Sequence, residues 1–348
     1  MEANKHQLNS LKVRFTSDMR IPIGVFEDEY FEYFLDLYEE SHKARTKWNN
    51  LVKVIDERFN GNPDAFLEHY ADVRNRMIED LEKEGKGLLE KMVNQDKVFD
   101  IPKVNVSQNN VFNEGNVGNL FLSIDLRKAN FQAFLYAVPL AFFDTLQDRV
   151  EWQVCKHDID EIYRKWVSKY TDLDYVVDSK YTRQVVFGKL NPKVQIHVEK
   201  WLVSQVLDEI TKLATEKEFE GSFELVSFCT DELVFKIDAT SLSYWNECKD
   251  GFIKKITESF GIAVKCEVYE LGIYHFMCKG GVDGHILPVF VKRFAGTDKT
   301  ELKSCPETYY AQVTKLLRGE LINEKDRTFY HEKQLARFLE PISLVLDD

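Results

Sequence analysis

Apolar residues along this chain recur with two different periods, and the change of period divides it. Val194, Val198, Trp201, Leu202, Val206, Ile210 and Leu213 fall on one helical face and predict a long helix. Leu120, Leu122 and Ile124 instead alternate with Phe121, Ser123 and Asp125, which is the period of a strand. Short apolar runs at 223–229 and 233–237 predict two more strands, with Thr230, Asp231 and Glu232 between them. A helix over 244–260 carries Cys248, Phe252, Ile253, Ile256 and Phe260 on one side, and Gly261 suits its end. Runs at 262–268 and 272–278 are further strand candidates.

The flanks read differently. Residues 1–118 predict mostly helix. Between Glu27 and Glu40 seven acids occur without a base, interleaved with Phe31, Phe34, Leu35 and Tyr38 at helical spacing, so the acids form a solvated face. Asn60-Gly61-Asn62-Pro63 is a turn, and an amphipathic helix follows over 63–84, punctuated by Gly85 and Gly87. Residues 95–118 read as a linker or irregular strands. A helix begins near Lys128, and 144–169 is again helical, with Trp152, Tyr163 and Trp166. The tail predicts a strand over 286–294 and helices over 307–317 and 332–338. Taken in order, residues 119–278 give strand, helices, strand, strand, helix, strand. That is the βαββαβ order of a ferredoxin-like antiparallel sheet backed by helices, and it makes the chain α+β. The expected division is a helical region 1–118, the sheet domain 119–278 with a helical insertion, and a small α/β element 279–348.

Composition adds exclusions. The 348 residues are 44% hydrophobic and 30% charged, an ordinary globular balance. No apolar run approaches the ~18 residues of a membrane span, and the first residues lack an apolar leader, so an intracellular protein, cytoplasmic or nuclear, is expected. The six cysteines and eight histidines have no zinc-ligand spacing. Gly280-Gly281-Val282-Asp283-Gly284 lacks the lysine and helix of a phosphate loop and reads as a hairpin turn. A net charge of −12 disfavours a non-specific nucleic-acid binder, but 164–200 holds eight Lys/Arg against four Asp/Glu, a local +4.

In a βαββαβ sheet the first strand lies beside the central hairpin. Asp125 ends the first strand, and Asp231 and Glu232 occupy the hairpin turn, so three carboxylates would converge at one sheet edge. Carboxylates so close repel unless protonated or bridged by a cation, and an all-oxygen set selects Mg²⁺ or Mn²⁺. Taken singly, Asp125 would cap the next helix and Asp231-Glu232 would be a polar turn. The segment from Lys180 through Gly188 to Lys193 reads as a basic Gly/Pro loop leading into the long helix. Arg183, Lys189 and Lys193 there would neutralise a triphosphate, or simply be solvated.

These three segments resemble motifs A, B and C of right-hand palm polymerases. Ile124-Asp125-Leu126-Arg127-Lys128-Ala129-Asn130-Phe131 resembles a reverse-transcriptase motif A, and Phe187-Gly188-Lys189-Leu190-Asn191-Pro192 is similar to motif B. Thr230-Asp231-Glu232-Leu233-Val234-Phe235 resembles the motif C of family A DNA polymerases. Glu270-Leu271-Gly272 falls where reverse transcriptases have a primer-grip turn. The resemblance covers 119–278, and its motifs are short. It implies a palm, a nucleotidyltransferase activity and a two-metal mechanism in which Asp125 and Asp231 bind Mg²⁺ or Mn²⁺ with Glu232 assisting. Arg127, Lys128, Asn130 and Phe131 would then meet the nucleoside triphosphate along with Arg183, Lys189 and Lys193. Asn130 stands where the family has the residue that senses the sugar 2′ position, usually an aromatic or Glu. The tail would be thumb-like, with Arg293, Lys299, Lys303, Lys315 and Arg318 near a primer–template backbone. As a second reading the resemblance leaves room for a catalytically inactive palm that binds nucleic acid or protein and, ranked last, for a nucleotide cyclase. An acidic polymerase of this kind, as in compact viral replication proteins, would call for a basic protein partner.

Overall fold

The computed structural model describes residues 2–85, 87, 99–106, 110–137, 158–189, 192–215, 223–239, 241–279, 284–332 and 334–345. Trp152, Cys155, His157, Leu190, Asn191, Gly280-Gly281-Val282-Asp283 and the 144–157 part of an expected helix lie outside them. The described chain mixes helices with an antiparallel sheet. Its N-terminal part is α1 (Glu2–Met19), α2 (Asp28–Leu37), α3 (Glu39–His42), α4 (Ala44–Phe59) and α5 (Pro63–Glu84). The Asn62 side chain caps α5 by accepting the Asp64 and Ala65 amides, with Pro63 in the first turn.

Strand β1 (Leu120–Leu126) leads through a tight turn into α6 (Ala129–Ala137). Then come α7 (Ile159–Val167), α8 (Asp174–Asp178), α9 (Lys180–Gly188) and α10 (Pro192–Thr215). The hairpin β2 (Phe223–Phe228) and β3 (Glu232–Ile237) is followed by α11 (Ser241–Phe260) and β4 (Val264–Cys278). Strands β5 (His285–Phe294) and β6 (Thr300–Lys303), helix α12 (Glu307–Leu317), the hairpin β7 (Thr328–His331) and β8 (Gln334–Arg337), and β9 (Ser343–Val345) complete it. The main sheet runs β2-β3-β1-β4-β5-β6, with β9 added along β4.

Alternation along β1 explains the two layers. Leu122, Ile124 and Leu126 join Leu233, Phe235, Val264 and Cys266 in the large core shared with the helices. Phe121 faces the other way, into a smaller cluster with Val234, Tyr269, Leu271, Phe290 and Phe294, which Val111 and Phe112 cover.

Three sequence expectations are corrected. The strands expected at 262–268 and 272–278 are one strand, β4, so Glu270-Leu271-Gly272 lies within a ladder and forms no turn. A Cβ at Gly272 would sit 2.6 Å from the Arg293 guanidinium on β5, so a larger residue there would displace that side chain. The expected helix at 332–338 is the β7–β8 hairpin, turned at Glu332 with φ +49. Packing of Phe338 against Phe329 (4.4 Å between centroids) and Tyr309 (4.5 Å) overrides the helical spacing. The supposed loop before the long helix is the helix α9, capped by the Ser179 hydroxyl, which accepts the Thr182 amide at 2.9 Å. Gly188 ends that helix with open space where a Cβ would be, so no close approach requires glycine there.

Candidate functional site

Asp125 stands opposite Glu232 in the β1–β3 ladder and opposite Lys265 in the β1–β4 ladder. The Leu126 amide donates to the Asp231 carbonyl at 2.8 Å, so the hairpin turn is tied to the end of β1. Beyond it the Arg127 amide donates to the Ala263 carbonyl at 3.0 Å. Gln132, fully buried, closes this corner. Its amide donates to the Arg127 and Ala263 carbonyls at 2.6 and 2.7 Å, and its oxygen accepts the Ala263 amide at 2.9 Å. Lys128 takes φ +51 in the intervening turn, an uncommon conformation for a residue with a Cβ.

The sheet end is electrostatically strained. The Asp125 carboxyl is pushed up to about 7, first by burial and then by Asp231 and Glu232, while Lys265 and Lys180 pull the other way. Asp231 is raised by burial and by Glu232, against Lys180. A fourth carboxylate faces this turn from α10. Glu199 is 7% exposed, accepts one bond from Gln195 at 2.7 Å, and is pushed up to about 7 by burial and by Asp231. Glu232 itself is engaged on the Phe121 face of the sheet, the face it shares with Asp125. Its Oε1 accepts the Ser123 hydroxyl at 2.5 Å and lies 3.7 Å from the Lys292 ammonium.

The expected basic residues split into two groups. Arg127, Lys128 and Arg183 gather beside α7, where Arg127 pairs with Asp160 and, at 3.5 Å, with Asp158. Lys128 pairs with Asp160 at 2.6 Å. Burial, then Arg183 and Arg127, bring the Lys128 ammonium down to about 8. Burial also lowers Arg183, which lies 5.7 Å from the Tyr163 ring. Asn130 accepts the Phe131 amide at 2.9 Å and donates to the Arg183 carbonyl at 3.4 Å. Phe131 is fully buried among Tyr163, Trp166 and Phe187. Lys189 and Lys193 are exposed at the junction of α9 and α10. In the tail, Arg293 pairs with Glu270, Lys303 with Glu301, Lys315 with Glu320 and Arg318 with Glu40, and Lys299 lies over Phe294.

Sequence reasoning missed Glu199, Lys180, Lys265, Lys292 and Gln132 as parts of this corner. Gln132 carries a signal, a lone amide in an apolar run, and so does Glu199, an acid amid the helical stripe of α10. As placed, no three His, Cys, Asp or Glu side chains among the described residues could together hold a metal ion. The donor chemistry still fits a hard cation at half-buried Asp125 and exposed Asp231, carboxylates whose mutual repulsion a cation would relieve. Among the described residues no helix is long and apolar enough to cross a membrane.

No protein-family model matches the chain, and no curated protein matches it.

Proposed function

We propose that this protein is a metal-dependent nucleotidyltransferase, a compact palm-type polymerase that extends a 3′-hydroxyl with nucleoside triphosphates on a nucleic-acid primer–template inside the cell. The observation that carries the reading is the pairing of Asp125 with the Asp231-Glu232 turn at the sheet end. In support, the strand order β2-β3-β1-β4 is the one that a βαββαβ ferredoxin-like palm would adopt.

In this mechanism Asp125 and Asp231 would hold the Mg²⁺ or Mn²⁺. The bound metal would supply charge stabilisation at the attacking 3′-oxygen and the pyrophosphate leaving group. Lys180, an exposed cation whose charge acts on both aspartates, would meet the triphosphate there. Gln132 holds the β1 end and the start of β4 in register, so the carboxylates keep their separation while substrate binds. Arg127 and Lys128 would join only after exchanging Asp160 for phosphate.

A second reading, an inactive palm that binds nucleic acid or protein, has one observation in its favour. Arg127 and Lys128 are already paired with Asp158 and Asp160. Primer extension with Mg²⁺ or Mn²⁺ separates the two. The proposal expects labelled product from the wild type and a loss of about 10³-fold or more in Asp125→Ala and Asp231→Ala. A folded wild type that extends nothing, or activity that survives both changes, rejects it.

A further inference from the structure

The sheet face that carries Phe121 holds a charge pair that the motifs do not account for, a buried lysine with a partly exposed glutamate. Lys292 on β5 is 5% exposed. Its ammonium lies 3.7 Å from Glu232 Oε1 and 4.3 Å from the centroid of the fully buried Tyr269 ring. Tyr269 in turn stacks on Phe121 of β1, with centroids 5.6 Å apart. Ser123, also on β1, donates to the same Glu232 oxygen. Lys303, Glu301 and Glu267 are the other charged groups acting on Lys292. Lys303 is bonded to Glu301 at 2.7 Å, and Glu267 pairs with Lys265. Glu232 is therefore the carboxylate that neutralises Lys292 most directly.

A buried ammonium is tolerated only while paired. If Glu232 swung toward Asp125 and Asp231, Lys292 would lose its closest carboxylate. The charge of Glu232, which already raises both aspartates from the sheet face it shares with Asp125, would also come closer to them. Both effects oppose the movement. Anchoring Glu232 also has a use, because it is the cross-strand partner of Asp125 and the chain neighbour of Asp231. Fixing it fixes both.

We infer that Glu232 stays tied to Lys292 and Ser123 through turnover as a positioning residue, with Lys292 as its anchor, and that the Asp125–Asp231 pair holds the cation without it. This rests on the polymerase reading of the site. It makes β5, outside all three motifs, part of the working machinery.

The test combines Mn²⁺ binding to the free protein, followed by electron paramagnetic resonance, with primer-extension kinetics and thermal unfolding. Glu232→Gln and Lys292→Met should each lower kcat by about 10- to 100-fold. KM for nucleotide should stay within about twofold of wild type, since a misaligned pair still binds substrate. The double variant should be no slower than the slower single, because both break one contact. Lys292→Arg, which keeps the charge, should recover most of the rate. Glu232→Gln should leave Mn²⁺ affinity within about twofold, whereas Asp231→Asn should weaken it at least about tenfold. Weakening by Glu232→Gln as large as that by Asp231→Asn would overturn the inference, as would single effects that multiply in the double variant. If the wild type neither extends primers nor binds Mn²⁺, the functional reading fails on its own. The anchor is then judged from unfolding midpoints: coupled changes for Lys292 and Glu232 support it, and strictly additive ones overturn it.

Discussion

Two carboxylates in this protein, Asp18 buried and Asp125 half-buried, live in opposite company. Asp18, at the end of α1, is completely buried, yet it accepts the Tyr70 and Tyr175 hydroxyls at 2.9 and 2.8 Å and pairs with Arg14 at 3.1 Å. Burial raises its pKa, and its named neighbours Arg14, Tyr175, Tyr70 and Ser179 all pull it back. Asp125 is less buried, but the strongest effects after burial are two more carboxylates, which push the same way. Asp18 is a satisfied charge that holds helices together. Asp125 is kept at a cost in stability, and such costs gather where chemistry is done. The two are linked. Tyr70 also bonds Ser179 at 3.1 Å, and Ser179 caps α9, whose first residue is Lys180. The satisfied carboxylate thus helps to place the cation that steadies the unsatisfied ones.

The comparison is broken most forcefully at Asp18. Asp18→Ala leaves Arg14 and the Tyr175 hydroxyl without their acceptor, while Tyr70 keeps Ser179 and Thr182, and urea unfolding should show a loss of about 3–5 kcal/mol. A loss below about 1 kcal/mol would mean that the network is not what fixes α1 to α9.

At Asp125 the sign reverses. Its folded pKa, about 7, lies above the ordinary value of 3.8. The folded state therefore holds the proton more tightly. The stability this contributes is fully present below about pH 4 and is lost as pH rises through 7. Asp125→Asn removes that loss. In metal-free buffer it should be more stable than wild type by roughly 2 kcal/mol at pH 8, with the gap closing toward pH 4. A gap that does not change with pH would contradict the environment described for Asp125.

The smallest effect belongs to Glu199, which has one hydrogen-bond donor and one repelling neighbour. Glu199→Gln should stabilise the protein by about 1 kcal/mol at pH 8 and by less at pH 5, measured by the same unfolding curves. Destabilisation at both pH values would make Glu199 a satisfied core acid like Asp18.

Much of this corner could be read from local pattern. Alternation marked β1, and the acidic break between two apolar runs marked the β2–β3 turn, because each signal is carried by a few consecutive residues. The βαββαβ order then predicted that Asp125 would adjoin Asp231 and Glu232, as the register has it. What escaped depends on distant partners. Whether 262–278 bends or runs straight depends on its ladder with β5, a strand that comes later in the chain. Nothing near Lys292 in sequence announces that Glu232 neutralises it, and Arg127 and Lys128 looked available only because Asp158 and Asp160 arrive from α7. The hairpin at 328–337 likewise depends on Phe338 meeting Tyr309 of α12.

The most direct test of the central claim is Mn²⁺ binding to the free protein, measured from pH 5.5 to 8.5 for wild type, Asp125→Asn and Asp231→Asn. If the repelling pair is a cation site, wild-type affinity rises with pH through about 7 as Asp125 ionises, and each Asn variant loses at least about tenfold. Mn²⁺ affinity that is flat with pH and unchanged in both variants would contradict it.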